Sequence, residues 1–205
     1  MKRNLSKYIA VGSLLFLFFF VATSGCTFAP GNNSQNSTGD LYNLLNKAEE
    51  RLYSIDWNSE SPGNIRSQIL ASETDIKNIF DTLSSMQPKS SEDSEKIYVL
   101  RALSCSYLDM TASMMDLTNV IEHYNSAEYY ASLYDNHNWE MEVLTADDAL
   151  ASARNNLYSA KYRISGVNMN MVPIDYQGDV TEMKVRIDEM ETLMDNLADE
   201  FSRVQ

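Results

Sequence analysis

Few residues in this chain are equipped for chemistry. Of 205 residues only two are His, two Cys and seven Gly. The motifs G-x-x-x-x-G-K-[ST], G-x-G-x-x-G, G-x-S-x-G and H-E-x-x-H are all absent, which argues against phosphate-loop, dinucleotide, serine-hydrolase and zinc-peptidase chemistry. A carboxylate-bridged di-iron bundle needs Glu-x-x-His pairs on facing helices. The nearest approach is the adjacent pair Glu122-His123, whose spacing does not fit. His123 reads as a residue flanking an apolar stripe and His137 as part of a turn. No catalytic residue, resident metal or cofactor is expected. Cys105, inside a helical pattern, reads as a small buried hydrophobe.

Methionine and tyrosine are the abundant functional side chains, at 11 and 12 residues. Thioethers select soft ions such as Cu(I), and Met169 and Met171 with Met110, Met114 and Met115 are the set to consider. Against this, Met110, Met114, Met183, Met190 and Met194 fall on helical apolar stripes, where Met is a flexible core filler. Tyr129, Tyr130, Tyr158 and Tyr162 depart from the stripes. They suit either a binding surface or, as the favoured expectation, a second packing face on which all four lie close together.

The first residues have a different character. Lys2, Arg3 and Lys7 precede an apolar stretch, Ile9 to Ala22, which ends at Thr23-Ser24-Gly25-Cys26. This is secretory-signal architecture. At ~1.5 Å per residue the stretch covers about 21 Å, short of a ~30 Å hydrocarbon core, so it suits export better than a permanent span. The tetrapeptide resembles the lipobox of prokaryotic lipoproteins, departing at Thr23, where an aliphatic residue is typical. The resemblance covers the leader alone. It implies that Cys26 is alkylated with diacylglycerol and becomes the new N-terminus, and that the membrane is reached through that lipid. Two acyl chains at ~0.8 kcal/mol per buried CH2 make a stable anchor.

Residues 1–25 are therefore expected to be a signal peptide and 26–39 a polar tether, since Gly31 to Gly39 offers nothing to bury. Asn32 and Asn36 sit in N-x-[ST] matches and are candidate glycosylation acceptors on the exported side.

Residues 40–205 carry helical 3-4 spacing in five segments. They are Leu41 to Ile55; Ile65 to Met86, opened by Ser61-Pro62; a long helix from about Glu92 to Tyr134, capped by Ser90 or Ser91; Val143 to Ile164, closed at Gly166; and Val180 to Val204, capped by Asp179 with Glu182. Asp135 to Asn138 is expected to be a tight turn and Val167 to Gly178 a loop. Narrow apolar stripes must be buried against one another, so the predicted fold is an all-α antiparallel bundle of about five helices, with coiled-coil-like packing and one long central helix. The acids read as solvated faces with i,i+4 partners such as Glu182–Arg186.

Charge narrows the partners. Twenty-nine acidic residues against 16 basic ones give −13. Loss of the leader removes three basic residues, leaving 13 basic against 29 acidic, or −16. Such a surface repels phosphate backbones, and nucleic acid is not expected. An exported, lipid-anchored, non-enzymatic scaffold or protein-binding module of the cell envelope is the expected function, with a protein partner or self-association through the helices. An extracellular small-ligand or metal sensor is the alternative.

Overall fold

This computed structural model describes residues 37–57 and 59–204, side chains beyond Asp199 excepted. Five α-helices run α1 Thr38–Tyr53, α2 Pro62–Ser85, α3 Ser91–Ser132, α4 Asn136–Ser165 and α5 Ile174–Val204, with one 3-10 turn, Met169–Met171. The described residues contain no strand, and none of their helices is long and apolar enough to cross a membrane.

The helix starts are written in local chemistry. Ser37 and Asp40 form a reciprocal capping box on α1, so Ser37 to Gly39, expected to end the tether, open the first helix. Ser61 accepts from the Asn64 N–H with Pro62 in the first turn of α2, and Ser90 accepts from the Asp93 N–H on α3. Each such cap satisfies an orphan donor and stabilises its helix by about 1 kcal/mol.

Side-chain pairs give the directions of the helices. Arg66 reaches Glu122 at 2.5 Å and Arg101 donates to the Leu83 carbonyl at 2.7 Å, so α2 and α3 are antiparallel. His123–Glu142 at 2.7 Å and Asp109–Arg163 at 2.6 Å make α3 and α4 antiparallel. Arg154–Asp195 at 2.6 Å and Lys161–Asp188 at 3.1 Å do the same for α4 and α5. Helices α1 and α5 meet in parallel, Tyr42 at Asp179 and Tyr53 under Arg186.

Helix α3, 42 residues and about 63 Å long, is the shared partner of the others. Its buried residues cover more than one stripe and include Ser104, Ser106, Thr111, Ser113 and Thr118. Small hydroxyl side chains let neighbours approach on several sides. Ser106, Thr111 and Thr118 return their protons to carbonyls of α3 itself, and Ser113 donates across to the Ala153 carbonyl of α4 at 2.8 Å. On α4 the expected stripe is the buried face, with Ala146, Ala153 and Ala160 allowing close packing against α3.

Three expectations fail locally. The last helix begins at Ile174, directly after Pro173, so Asp179 lies inside it and caps nothing; the Pro173 carbonyl accepts from the Tyr176 N–H instead. The connection between α3 and α4 is Leu133 to Asp135, because Asp135 caps α4 through the Asn138 N–H and Asn136 to Asn138 join its first turn. Tyr134 there adopts φ 58, a left-handed conformation more often given to Gly or Asn. Finally, the α3 stripe loses its cover near its end. About one turn beyond Glu122 helix α2 has run out, and Ala131 and Tyr134 face solvent.

Candidate functional site

The densest set of perturbed polar groups lies where α1, α3 and α5 converge. Helix α1 contributes Glu49 and Tyr53, one turn apart. Helix α3 contributes Tyr107, 1% exposed. Helix α5 contributes Asp179, Glu182 and Arg186, spaced to share one face.

Arg186 organises the cluster. Its guanidinium bonds Glu182 at 3.1 Å and Glu189 at 3.3 Å, and stands 4.7 Å over the Tyr53 ring centroid, a cation–π contact. At the lower end the Tyr42 hydroxyl donates to Asp179 at 3.3 Å, and the Tyr42 and Tyr176 rings meet edge to face at 4.8 Å. The Tyr53 and Tyr107 hydroxyls and one Asp179 carboxylate oxygen are buried without a hydrogen bond of normal geometry among the described residues.

Burial sets the proton affinities. It pushes the Glu49 carboxyl up to about 7; Glu182 and Asp179 nearby add to the push, while hydrogen-bonding influence from Tyr107 and Tyr53 opposes it. Asp179 is raised by burial and by Glu182, against Tyr42. Tyr107 and Tyr53 lie above the usual phenol range, chiefly through burial. The cluster can therefore hold a proton on Glu49 near neutral pH. As a metal site it falls short, for among the described residues no group of three or more His, Cys, Asp or Glu is placed to hold an ion.

Against this cluster lies a cavity of about 250 Å³, walled by Leu52, Trp57, Met110, Met114, Leu117 and Met190, with Tyr53, Arg186, Glu189 and Thr192 as its polar lining. Its volume lies just below the ~300–1,000 Å³ of sites for drug-sized ligands. It suits a small aromatic or short-chain molecule with a polar end.

The structure separates several residues that the sequence groups. Met110 and Met114 line the cavity, whereas the Met169–Met171 turn lies near Tyr98, whose hydroxyl accepts from the Asn168 N–H. That is 12 residues, or about 18 Å, down α3 from Met110. Met115 points instead to Arg66, 3.9 Å away. The proposed five-methionine set is not assembled.

The four tyrosines do not share a packing face either. Tyr129, Tyr158 and Tyr162 are 60%, 69% and 74% exposed. Only Tyr129 and Tyr130 touch, at 5.5 Å, because an antiparallel partner places Tyr158 opposite the middle of α3 rather than its end. Tyr158 and Tyr162 line an open groove with Tyr98, Arg101, Cys105 and Arg163. Cys105 is half-buried there rather than fully enclosed, and burial raises its thiol pKa, which makes it a poor nucleophile.

His123 sits on the flank of α3, bonded to Glu142, and His137 belongs to the first turn of α4, not to a loop. Glu182–Arg186 is the ion pair its spacing predicts. Cys26, Asn32 and Asn36 lie outside the described residues.

Glu49 escapes sequence reasoning, whereas Tyr107 falls on the apolar stripe of α3, reads as core and is buried. Glu49 stands one position off the Leu45, Ala48, Leu52 stripe and reads as solvated. A signal existed in the pairing of Glu49 with Tyr53 at i,i+4 and in the Asp179, Glu182, Arg186 face running beside an apolar stripe. No family model, curated protein or solved structure matches the chain.

Proposed function

We propose that this is an exported cell-envelope protein, anchored by diacylglycerol on Cys26, whose acidic helical bundle is a non-enzymatic scaffold or protein-binding module. The observation that carries the proposal is the order of residues at the start: Lys2, Arg3 and Lys7, then the apolar run to Ala22, then Thr23-Ser24-Gly25-Cys26. Export needs the first two, and lipid attachment needs a thiol at the polar edge of the third. The binding role draws support from exposed aromatic side chains such as Tyr129, Tyr158 and Tyr162, since amphipathic rings are favoured at protein interfaces.

Acyl-chain labelling of the full chain tests the anchor. Label should enter the wild type, and globomycin should block its processing. Cys26→Ala should abolish the label and release the protein from the membrane fraction. Equal membrane fractionation of Cys26→Ala without label would sink the lipid anchor.

The cavity beside Tyr53 and Arg186 favours a second function, an extracellular sensor of a small ligand. A thermal-shift screen with Cu(I), haem and small aromatic acids separates the two. A shift lost on filling the cavity with Met190→Trp supports the sensor, and no shift leaves the scaffold standing.

A further inference from the structure

The α3–α4 hairpin outruns the rest of the bundle. Near the start of α2, Arg66 meets Glu122 of α3, and farther along the hairpin Ala127 of α3 and Val143 of α4 are buried. Around this tip lie Tyr129, Leu133, Tyr134, Met141 and Leu144, all more than half exposed and Tyr134 90% exposed. These are five of the eleven large hydrophobics exposed among the described residues. Such a concentration marks an interaction surface rather than scattered surface residues.

Charge decides what covers it. From residue 102 to 153 the chain has no Lys or Arg, while Glu128, Asp135, Glu140, Glu142, Asp147 and Asp148 follow one another around the tip. A second copy would bring the same carboxylates together, and an anionic lipid or phosphate surface would meet the same repulsion. A cationic apolar segment gains on both counts. Its aliphatic face covers Leu133, Met141 and Leu144, and its Lys or Arg heads meet carboxylates and the faces of Tyr129 and Tyr134.

We infer that the tip of the α3–α4 hairpin, residues 123–148, is the docking surface for a cationic amphipathic segment of another protein. This rests on the binding-module function proposed above. The tip stands at the opposite end of the bundle from the start of α1. Tyr42 of α1 packs on Tyr176, whose phenol feels Lys96, and from Lys96 to Ser132 α3 climbs about 54 Å. A chain tethered ahead of α1 holds this surface away from its anchor.

The test uses the full chain in zwitterionic lipid nanodiscs, with an amphipathic peptide built of Lys and Leu and its Glu-for-Lys counterpart as probes. The Lys peptide should bind, bind more weakly as salt rises, and slow hydrogen exchange within 123–148. Tyr129→Ser/Leu133→Ser should weaken it roughly tenfold or more. Tyr134→Gly should weaken it while raising Tm, because Gly relieves the left-handed strain; that variant separates lost contact from lost folding. Glu191→Gln/Asp195→Asn on α5 should leave binding unchanged. Protection on another face, lost with the α5 variant and kept in the tip variants, overturns the tip assignment and leaves a binding module standing. Equal binding of the Glu peptide overturns the charge argument, as does protection of the tip by the lipid alone, which would make it a membrane contact. Binding of neither peptide overturns both the tip and the module.

Discussion

Glu49 shows how a single carboxyl couples the interior of this bundle to pH. In the unfolded chain it titrates near 4.5, and in the fold burial raises it to about 7. Between those values the unfolded state has released the proton that the folded state still holds. Stability attributable to Glu49 therefore falls as pH rises from about 4.5 to about 7 and levels off above. The shift converts to an upper bound of roughly 3 kcal/mol. Glu49→Gln should stabilise the protein by on the order of 2 kcal/mol at pH 8, after allowance for solvent screening, and by little at pH 4. Urea unfolding of both proteins at the two pH values measures this, and an equal effect at both would show that the fold leaves the proton affinity of Glu49 unshifted.

At the scale of elements, most of the helices could be read from their own residues. The stripes of α1, α2 and α4 are the faces they bury, because each has one apolar side and one neighbourly surface to put it on. Ser61, Ser90 and Gly166 mark ends because capping depends on local hydrogen bonds and not on the rest of the fold. Helix α5 is the informative miss. Gly178 and Pro173 suggested a loop up to Asp179, yet the helix opens right after the proline and continues through the glycine. Packing of Tyr176 and Val180, both buried, outweighs the ~1 kcal/mol that Gly costs in a helix interior. An added Cβ at Gly178 meets nothing within 4 Å. Gly178→Ala should therefore raise stability by about 0.5–1 kcal/mol, read from the midpoint of chemical unfolding; a loss would mean that α5 does not hold its first turns.

Across the whole molecule the acids outnumber their partners. The ion pairs among the described residues run mostly between helices: Arg51 to Asp75, Arg66 to Glu122, Arg163 to Asp109, Arg154 to Asp195 and Lys161 to Asp188 and Glu191. Pairs this exposed contribute about 0–1 kcal/mol each, too little to offset the repulsion among the remaining carboxylates. Raising NaCl from about 10 mM to about 150 mM shortens the screening length from ~30 Å to ~8 Å. Thermal unfolding should then move to higher temperature. A lower Tm at the higher salt would mean that the inter-helix pairs outweigh the net charge.

The helical class, the number of helices, the length of α3 and the acidity of the body were settled by the sequence itself, because periodicity, capping and charge are local or additive. The leader stands apart: a basic start, an apolar run and a cysteine form a pattern in the sequence, and they lie outside the described residues. The candidate site was different. Glu49, Tyr107 and Arg186 are separated by 58 and 79 positions, from 49 to 107 and from 107 to 186, and only the parallel meeting of α1 and α5 against α3 brings them together. The tip follows the same logic: Ala131 and Tyr134 continue an apolar pattern that looks like core, and they stand in solvent because α2 ends first. Burial depends on which neighbour is present at each level of the bundle, and a stripe carries no information about its neighbour's length.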